Sequence, residues 1–585
     1  MANTRAERWW FTGLSLLVFF HVLVRAATVP LVHDEATSFI AYAQTGHFLP
    51  FASMWDANNH YLNSLLGFFG YKLFGLHLIA LRWGSVLSYV LFAWCAWQMG
   101  AYVQHRMVRW CMWLALLTCP FLLDFFSLFR GYGPAMAFLL LALHGTVRFM
   151  QEGQRQHLLA ALGGALVANG FLLALLPLWA VLLALLSVRC WPDRGRRLIW
   201  SVFGLVPLLG AAGLAILMSH FGLLYHGSTG GFVEVTVASL VRFVLGTDGF
   251  VVSIIIVIML VLATLAILGR TLHTRSWNSP GFIITLLLWS ESIGRVIMAN
   301  VFEVNYAEDR TALHNLLLSL LVLAFALDHL AARQRMALVL CSLLCFLPIR
   351  ALLTANKTHT LLWPEQSVPD RFVFRVQELE QELGRPVVLG AHRHVGLPWS
   401  LQSRMLGVEG DVNSHGWPLG LHDARIVADR FGDVDMADYV VVDSVPSSVL
   451  RLFIREQPLT TLVVTDTGFV LTTDTATTNI VFSGPVPKLR DGDVFVEIGG
   501  AIESEHGPVD LRLCTVVFDT LGRAVDGELI FLSTRRAHWE GETFHTTRLV
   551  RGRRDAGRVE VSLWNPHRSR VLIREGFVRA YAVEQ

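Results

Sequence analysis

Nine apolar runs, each close to the 20 residues a helix needs to cross bilayer hydrocarbon, leave few folds open to this chain. They lie near residues 9–28, 78–100, 108–126, 132–150, 198–218, 250–269, 281–300, 311–331 and 336–354. A tenth run, 158–188, is too long for one upright crossing and short for two. Composition points the same way: of 585 residues, 54% are hydrophobic and only 16% charged, against roughly a quarter charged in soluble domains. Mean hydropathy is +0.51. A formal net charge of +2 supplies no basis for a nucleic-acid partner.

Arginine placement decides how the runs are threaded, because cytoplasmic loops carry the excess of basic residues. Arg5 and Arg8 put the N-terminus inside. Arg106 and Arg109, Arg148 and Arg155, Arg189 to Arg197, Arg270 and Arg275, then Arg333 and Arg335 all return to that side only if 158–188 crosses twice. The turn is expected near Ala168-Asn169-Gly170. The expectation is a mostly α, polytopic membrane bundle of about eleven transmembrane helices, with everything after about residue 355 outside. No small-residue cleavage site follows the first run, so it reads as a retained helix rather than a signal peptide. Lysine occurs only at Lys72, Lys357 and Lys488. That arginine bias suggests a GC-rich bacterial genome, hence a bacterial plasma (inner) membrane. The seven cysteines show no paired or metal-binding spacing and read as small packing residues.

Three domains are expected: a transmembrane catalytic domain over 1–355, an extracytoplasmic α/β domain over 356–477, and a C-terminal β-sandwich over 478–585. In the first outer loop, Glu35–Thr45 and Tyr61–Phe74 read as amphipathic helices lying in the interface plane. In the tail, Arg371–Gly384 and Ala424–Phe431 read as helices, and Val387–Leu389, Tyr439–Val442 and Leu462–Thr465 as short buried strands. The last hundred residues alternate in short strands with Gly, Asp, Asn and Pro turns. They resemble the jelly-roll domains of bacterial surface proteins. A packing or spacer role is the simpler reading of that domain, since fold alone does not fix function.

Ionisable residues near the membrane plane are costly unless used or paired. Asp34 and Glu35, just past the first run, are therefore the leading candidates for acid–base chemistry. Downstream, Asp56, Asn59 and His60 cluster within Trp55-Asp56-Ala57-Asn58-Asn59-His60 as substrate-binding candidates. The second outer loop offers Asp124, Ser127, Arg130 and Tyr132. There Arg130 with Tyr132 could fork onto a phosphate, or equally anchor the chain at the interface. A later loop offers Glu308, Asp309, Arg310, Thr311 and His314. Arg310 opens a helix whose amides favour an anion, while at least one of Glu308 and Asp309 is expected to cap it. Glu291 and Arg295, four residues apart inside a membrane run, read as a self-neutralising pair. No metal-ligand spacing is present, so a divalent ion has no support in the sequence.

The order of these residues resembles the GT-C superfamily of membrane glycosyltransferases, most closely its protein O-mannosyltransferase and aminoarabinose-transferase branch. The matching residues are Asp34-Glu35 after the first helix, Gly46…Pro50, Asn59-His60, Phe74-Gly75, Leu81-Arg82, Arg130-Gly131-Tyr132 and the entry to a late helix at Arg310. The resemblance covers roughly residues 9–355. It implies a polyprenyl-phosphate-linked sugar as donor and a lipid, glycan or protein as acceptor. It also implies Asp34 as the base or acceptor-orienting carboxylate, Glu35 positioning a partner group, Arg130 and Arg310 holding the lipid phosphate, and no required cofactor. The tail departs from both named enzymes, so the acceptor does not carry over. Two rivals remain: a transporter or flippase of lipid-linked sugars, which predicts internal repeats not seen here, and a non-catalytic, glycan-binding assembly protein built around the sandwich.

Overall fold

The computed structural model describes residues 5–50, 56–223, 227–331, 336–408, 412–415, 421–428, 436–445, 449–473, 477–485, 494–504, 509–532, 540–550 and 556–584. Its chain contacts divide it into two compact units. One comprises Met1–Ala27, Phe48–Gly70 and Ile79–Lys357; the other comprises Thr28–His47, Tyr71–Leu78 and Thr358–Gln585. The loop carrying Asp34 and Glu35 thus groups with the C-terminal region rather than with 1–355.

The first unit is helical. Among the described residues, eight helices are long and apolar enough to cross a membrane: Arg5–Thr28, Leu78–Gly100, Tyr132–Glu152, Leu173–Cys190, Arg194–His220, Phe250–Thr274, Pro280–Phe302 and Asp309–Ala331. A ninth arises if Arg106–Thr118 and Pro120–Phe126, bent by 48°, count as one. The bend sits at Cys119, held extended because the residue before a proline is pushed out of the helical region. Two of the expected eleven fall short of this measure. The 158–188 run does split, but at extended Leu172 rather than at 168–170. Asn169 stays helical, its amide donating back to the Ala165 carbonyl at 2.9 Å. The first half, Arg155–Phe171, has 17 residues. The 336–354 run breaks into Met336–Cys341, a 3-10 turn Ser342–Cys345 and Phe346–Thr354. Arg333 and Arg335 lie outside the described residues.

Helices Tyr132–Glu152 and Arg155–Phe171 pack through small residues. A Cβ on Gly145 would meet the Ala161 amide nitrogen at 2.6 Å, and one on Gly164 the Ala142 nitrogen at 2.8 Å. Such close backbone approach is how apolar helices associate where lipid offers no hydrophobic drive. Tyr61–Phe74 is inside-out: Asn63, Ser64, Gly67 and Gly70 are buried, whereas Phe69, Leu73 and Phe74 are exposed. That suits a helix turning an apolar face to lipid.

In the second unit, the Glu35–Thr45 stretch forms a helix His33–Ser38 running into a π-turn Phe39–Ala43. Every residue from Phe39 to Ala43 is buried, so the amphipathic reading is corrected here. The α/β part holds helix Asp370–Leu383, as expected, and helix Arg393–Met405, which the sequence reading missed. Its five-stranded sheet runs Asn413–His415, Leu389–His392, Ala424–Ala428, Leu450–Arg455, Tyr439–Val445. The first three strands are parallel and the last two antiparallel. Ala424–Ala428 is therefore a strand, not a helix: its apolar residues pair on both sides, and that pairing overrides local helix propensity. Residues 429–431 of that expected helix lie outside the described residues. Tyr439–Val445 is an edge strand with Val440, Val441 and Val442 exposed, not buried.

The remaining strands make two four-stranded sheets. One orders Ala524–Phe531, Arg512–Asp519, Ala556–Trp564 and Thr478–Pro485; the other Glu540–Val550, Val494–Ser504, Val571–Glu584 and Thr460–Thr473. Along the chain the strands alternate between sheets except at the hairpin Arg512–Asp519/Ala524–Phe531, the double Greek key of a jelly roll. Leu462–Thr465 belongs here, since Thr460–Thr473 pairs antiparallel with Val571–Glu584. Val496, Ile498, Leu513, Val561 and Ile573 fill the space between the sheets.

Candidate active site

In the first unit, one cluster gathers expected residues from three distant segments. Arg130 lies in the bend between Pro120–Phe126 and Tyr132–Glu152. Its guanidinium donates to the Asn58 carbonyl at 3.3 Å and to the Asn58 side-chain oxygen, and stands 5.7 Å from the centre of the Tyr132 ring. The Tyr132 hydroxyl accepts from Arg310 Nε at 3.1 Å. His60 packs edge-on against the Tyr132 ring at 4.8 Å. Its Nδ1 lies 2.7 Å from the Phe171 carbonyl oxygen, an acceptor only, so that nitrogen carries the ring proton. Between Arg130 and Tyr132 only glycine fits: a Cβ on Gly131 would meet the Phe171 carbonyl at 2.4 Å and His60 Cγ at 2.9 Å.

The neighbouring expected residues brace the backbone around this cluster. The Asp56 carboxylate accepts from the Asn58 amide at 2.8 Å, a side-chain turn that presents Asn58 to Arg130. The Asn59 side chain donates to the Phe48 carbonyl at 3.0 Å and accepts from the Ser64 hydroxyl at 2.8 Å, tying down the start of Tyr61–Phe74. The Asp309 amide donates to the Ser239 hydroxyl at 2.9 Å. Glu308 does the capping: its amide donates to Thr311 Oγ1 at 2.9 Å, and its carbonyl accepts from the same hydroxyl at 2.7 Å.

Burial separates the two arginines: Arg130 is 0% exposed and Arg310 half-buried. Arg130 holds Asn58 through its carbonyl and side-chain oxygens. Asn58, inside the motif but not among the chosen residues, is the contact that sequence reasoning missed. Its signal was the Asp-x-Asn turn spacing.

Other expected polar residues neutralise one another. Asp124 is ion-paired with Arg25, which also donates to the Asn356 carbonyl at 2.6 Å. Glu291 accepts from Arg295 Nε at 2.7 Å, as expected, and from His314 Nε2 at 2.9 Å.

In the second unit, Asp34 and Glu35 lie in the first turn of His33–Ser38. They face different tasks. Glu35 is fully buried and accepts from the Val32 amide at 3.2 Å, the reach-back of a capping box. Asp34 is half-buried, and its carbonyl accepts from the Ser38 hydroxyl at 2.8 Å. The short helix is held from the C-terminal region: the His33 amide donates to Gln366 Oε1 at 2.9 Å, and the His33 ring packs edge-on against His394 at 5.0 Å. Among the described residues, no group of three or more His, Cys, Asp or Glu converges as metal ligands would.

No known family profile matches the sequence, and no curated protein is similar to it. Similar solved structures exist. ArnT from Cupriavidus metallidurans in the apo state has a TM-score of 0.43 and 13% identity, covering 77% of this chain and 98% of that one. The same protein bound to undecaprenyl phosphate has a TM-score of 0.33 and 12% identity over the same shares of the two chains. Arabinosyltransferase EmbB from Mycobacterium smegmatis has a TM-score of 0.31 and 11% identity, covering 100% of this chain and 65% of that one. Identity and TM-score are low in all three.

Proposed function

We propose that this protein is a membrane glycosyltransferase that moves a sugar from a polyprenyl-phosphate donor to an extracytoplasmic acceptor. The observation that carries this reading is the Arg130–Tyr132–Arg310 cluster, which concentrates two guanidinium groups beside one phenol at the ends of apolar helices. A lipid phosphate gains charge as its bond to the sugar breaks. A fixed cation there stabilises the transition state more than the ground state. Arg310 contacts the phosphate and Arg130 adds charge from behind.

Asp34 acts as the base. The acceptor hydroxyl oxygen attacks the anomeric carbon from the face opposite the phosphate. Asp34 takes the hydroxyl proton, and the electron pair of the breaking C–O bond leaves with the lipid phosphate, inverting the sugar carbon. No metal is required in this scheme, because guanidinium charge takes the part a divalent ion would otherwise play. The host membrane is a bacterial plasma membrane with the N-terminus inside.

The test is transfer from a labelled polyprenyl-phosphate sugar by the purified full chain in lipid. Activity that survives EDTA, falls about 10²–10⁴-fold in Asp34→Asn, and falls also in Arg310→Gln supports the scheme. Normal turnover in both variants removes it. A requirement for added Mg²⁺ after chelation overturns the metal-free form.

A further inference from the structure

The first unit holds a cavity far from Arg310. It measures about 610 Å³ and is lined by Arg270, Arg275, Trp277, Tyr102 and Asp328 among others. Asp328 stands near the end of the helix that Arg310 opens. Eighteen residues at 1.5 Å each put the two about 27 Å apart, nearly a bilayer's thickness. The cavity therefore belongs to the opposite end of the bundle from the proposed transferase site.

Its chemistry selects for an anion. Neither Arg270 nor Arg275 has an ion-pair partner among the described residues. The one carboxylate in the lining, Asp328, already accepts from the His105 amide at 2.7 Å. Arg275 is also held at a cost. It ends Phe250–Thr274 in the left-handed region, with φ of 52°, where glycine or asparagine is the usual residue. A long cationic side chain kept in that backbone state points from strain toward use. The turn opposite starts the helix Pro280–Phe302, whose first amides add positive potential.

The size and the floor narrow the ligand. A bare phosphate would leave most of 610 Å³ empty, while ligand pockets of roughly 300–1,000 Å³ take drug-sized molecules. Ile267 and Phe325 supply an apolar floor, and Trp277 is half exposed at the mouth. An apolar floor under a cationic rim, between helix ends, suits a lipid headgroup.

We propose that this cavity binds a phosphate monoester, carried on a membrane lipid or free. The purified full chain would be offered equal amounts of dioleoyl phosphatidic acid and dioleoyl phosphatidylcholine and its retained lipid counted by native mass spectrometry. A separate calorimetric titration would use glycerol 3-phosphate. Wild type is expected to prefer phosphatidic acid by roughly tenfold or more. Arg270→Gln/Arg275→Gln should bring the two lipids to parity, and the double Lys variant should keep a preference. Should the double Gln variant misfold, each single Gln variant should still lower the preference. Heat from glycerol 3-phosphate that vanishes in the Gln variants assigns a free ester; lipid preference without such heat assigns a headgroup. Wild type showing neither preference nor heat, or folded Gln variants retaining the full preference, overturns the site.

Discussion

Arg310 Nε donates to the Tyr132 hydroxyl at 3.1 Å, joining residues 178 positions apart in the chain. One end of that bond is a half-buried guanidinium, and the other is an almost fully buried phenol pressed against His60. The bond fixes where the reachable positive charge can point. If Arg310 meets the lipid phosphate, Tyr132 decides how well it is aimed.

Tyr132→Phe keeps the ring and its packing but deletes the acceptor for Arg310. A hydrogen bond to a charged group is worth about 1.5–3 kcal/mol. The expected loss in kcat/KM is thus roughly 10–100-fold, with thermal stability near wild type. Unchanged transfer kinetics would show that Arg310 is aimed by something else.

The adjacent acids should separate cleanly. Glu35→Ala removes the acceptor for the Val32 amide and should cost about 1 kcal/mol in stability. Glu35→Gln, which still accepts that bond, should remain within a few-fold of wild-type turnover. Asp34→Asn should do the reverse, leaving the melting temperature alone while turnover collapses. Loss of activity in Glu35→Gln with Asp34→Asn active would exchange their roles.

Arg25 and Asp124 form a buried pair, with both side chains at most 4% exposed. Removing one partner leaves a buried charge uncompensated, at about 3–5 kcal/mol. Asp124→Asn should therefore lower the thermal unfolding midpoint of the full chain in detergent. Arg25→Met combined with Asp124→Leu should recover much of the loss. Equal damage in the single and double variants would mean that the pair matters through another contact.

In the jelly roll, burial and the hydrogen bond it donates to Glu497 at 2.6 Å push the Tyr581 phenol up to about 12 from 10.0. A raised folded-state value favours the protonated form. The stabilisation is full below pH 10.0 and lost as pH rises toward about 12. Melts of the full chain between those limits should show a falling midpoint for the sandwich transition, and Tyr581→Phe should flatten that slope. An identical slope in the variant would place the alkaline sensitivity elsewhere.

The sequence by itself determined the membrane helices and most of the sandwich strands, because span length and period-two alternation are properties of short windows. It also brought Arg130, Tyr132, His60 and Arg310 into consideration, since polar groups near a membrane need partners or uses. Only the tertiary structure decided which need each one meets. Asp124 answers Arg25, and Asn58 answers Arg130. Ala424–Ala428 is a strand because Leu389, 35 residues before its partner Ala424, and Leu450, 22 residues after its partner Ala428, lie beside it. A charge or a backbone amide carries no local mark of its partner. That partner is chosen when distant segments are packed together.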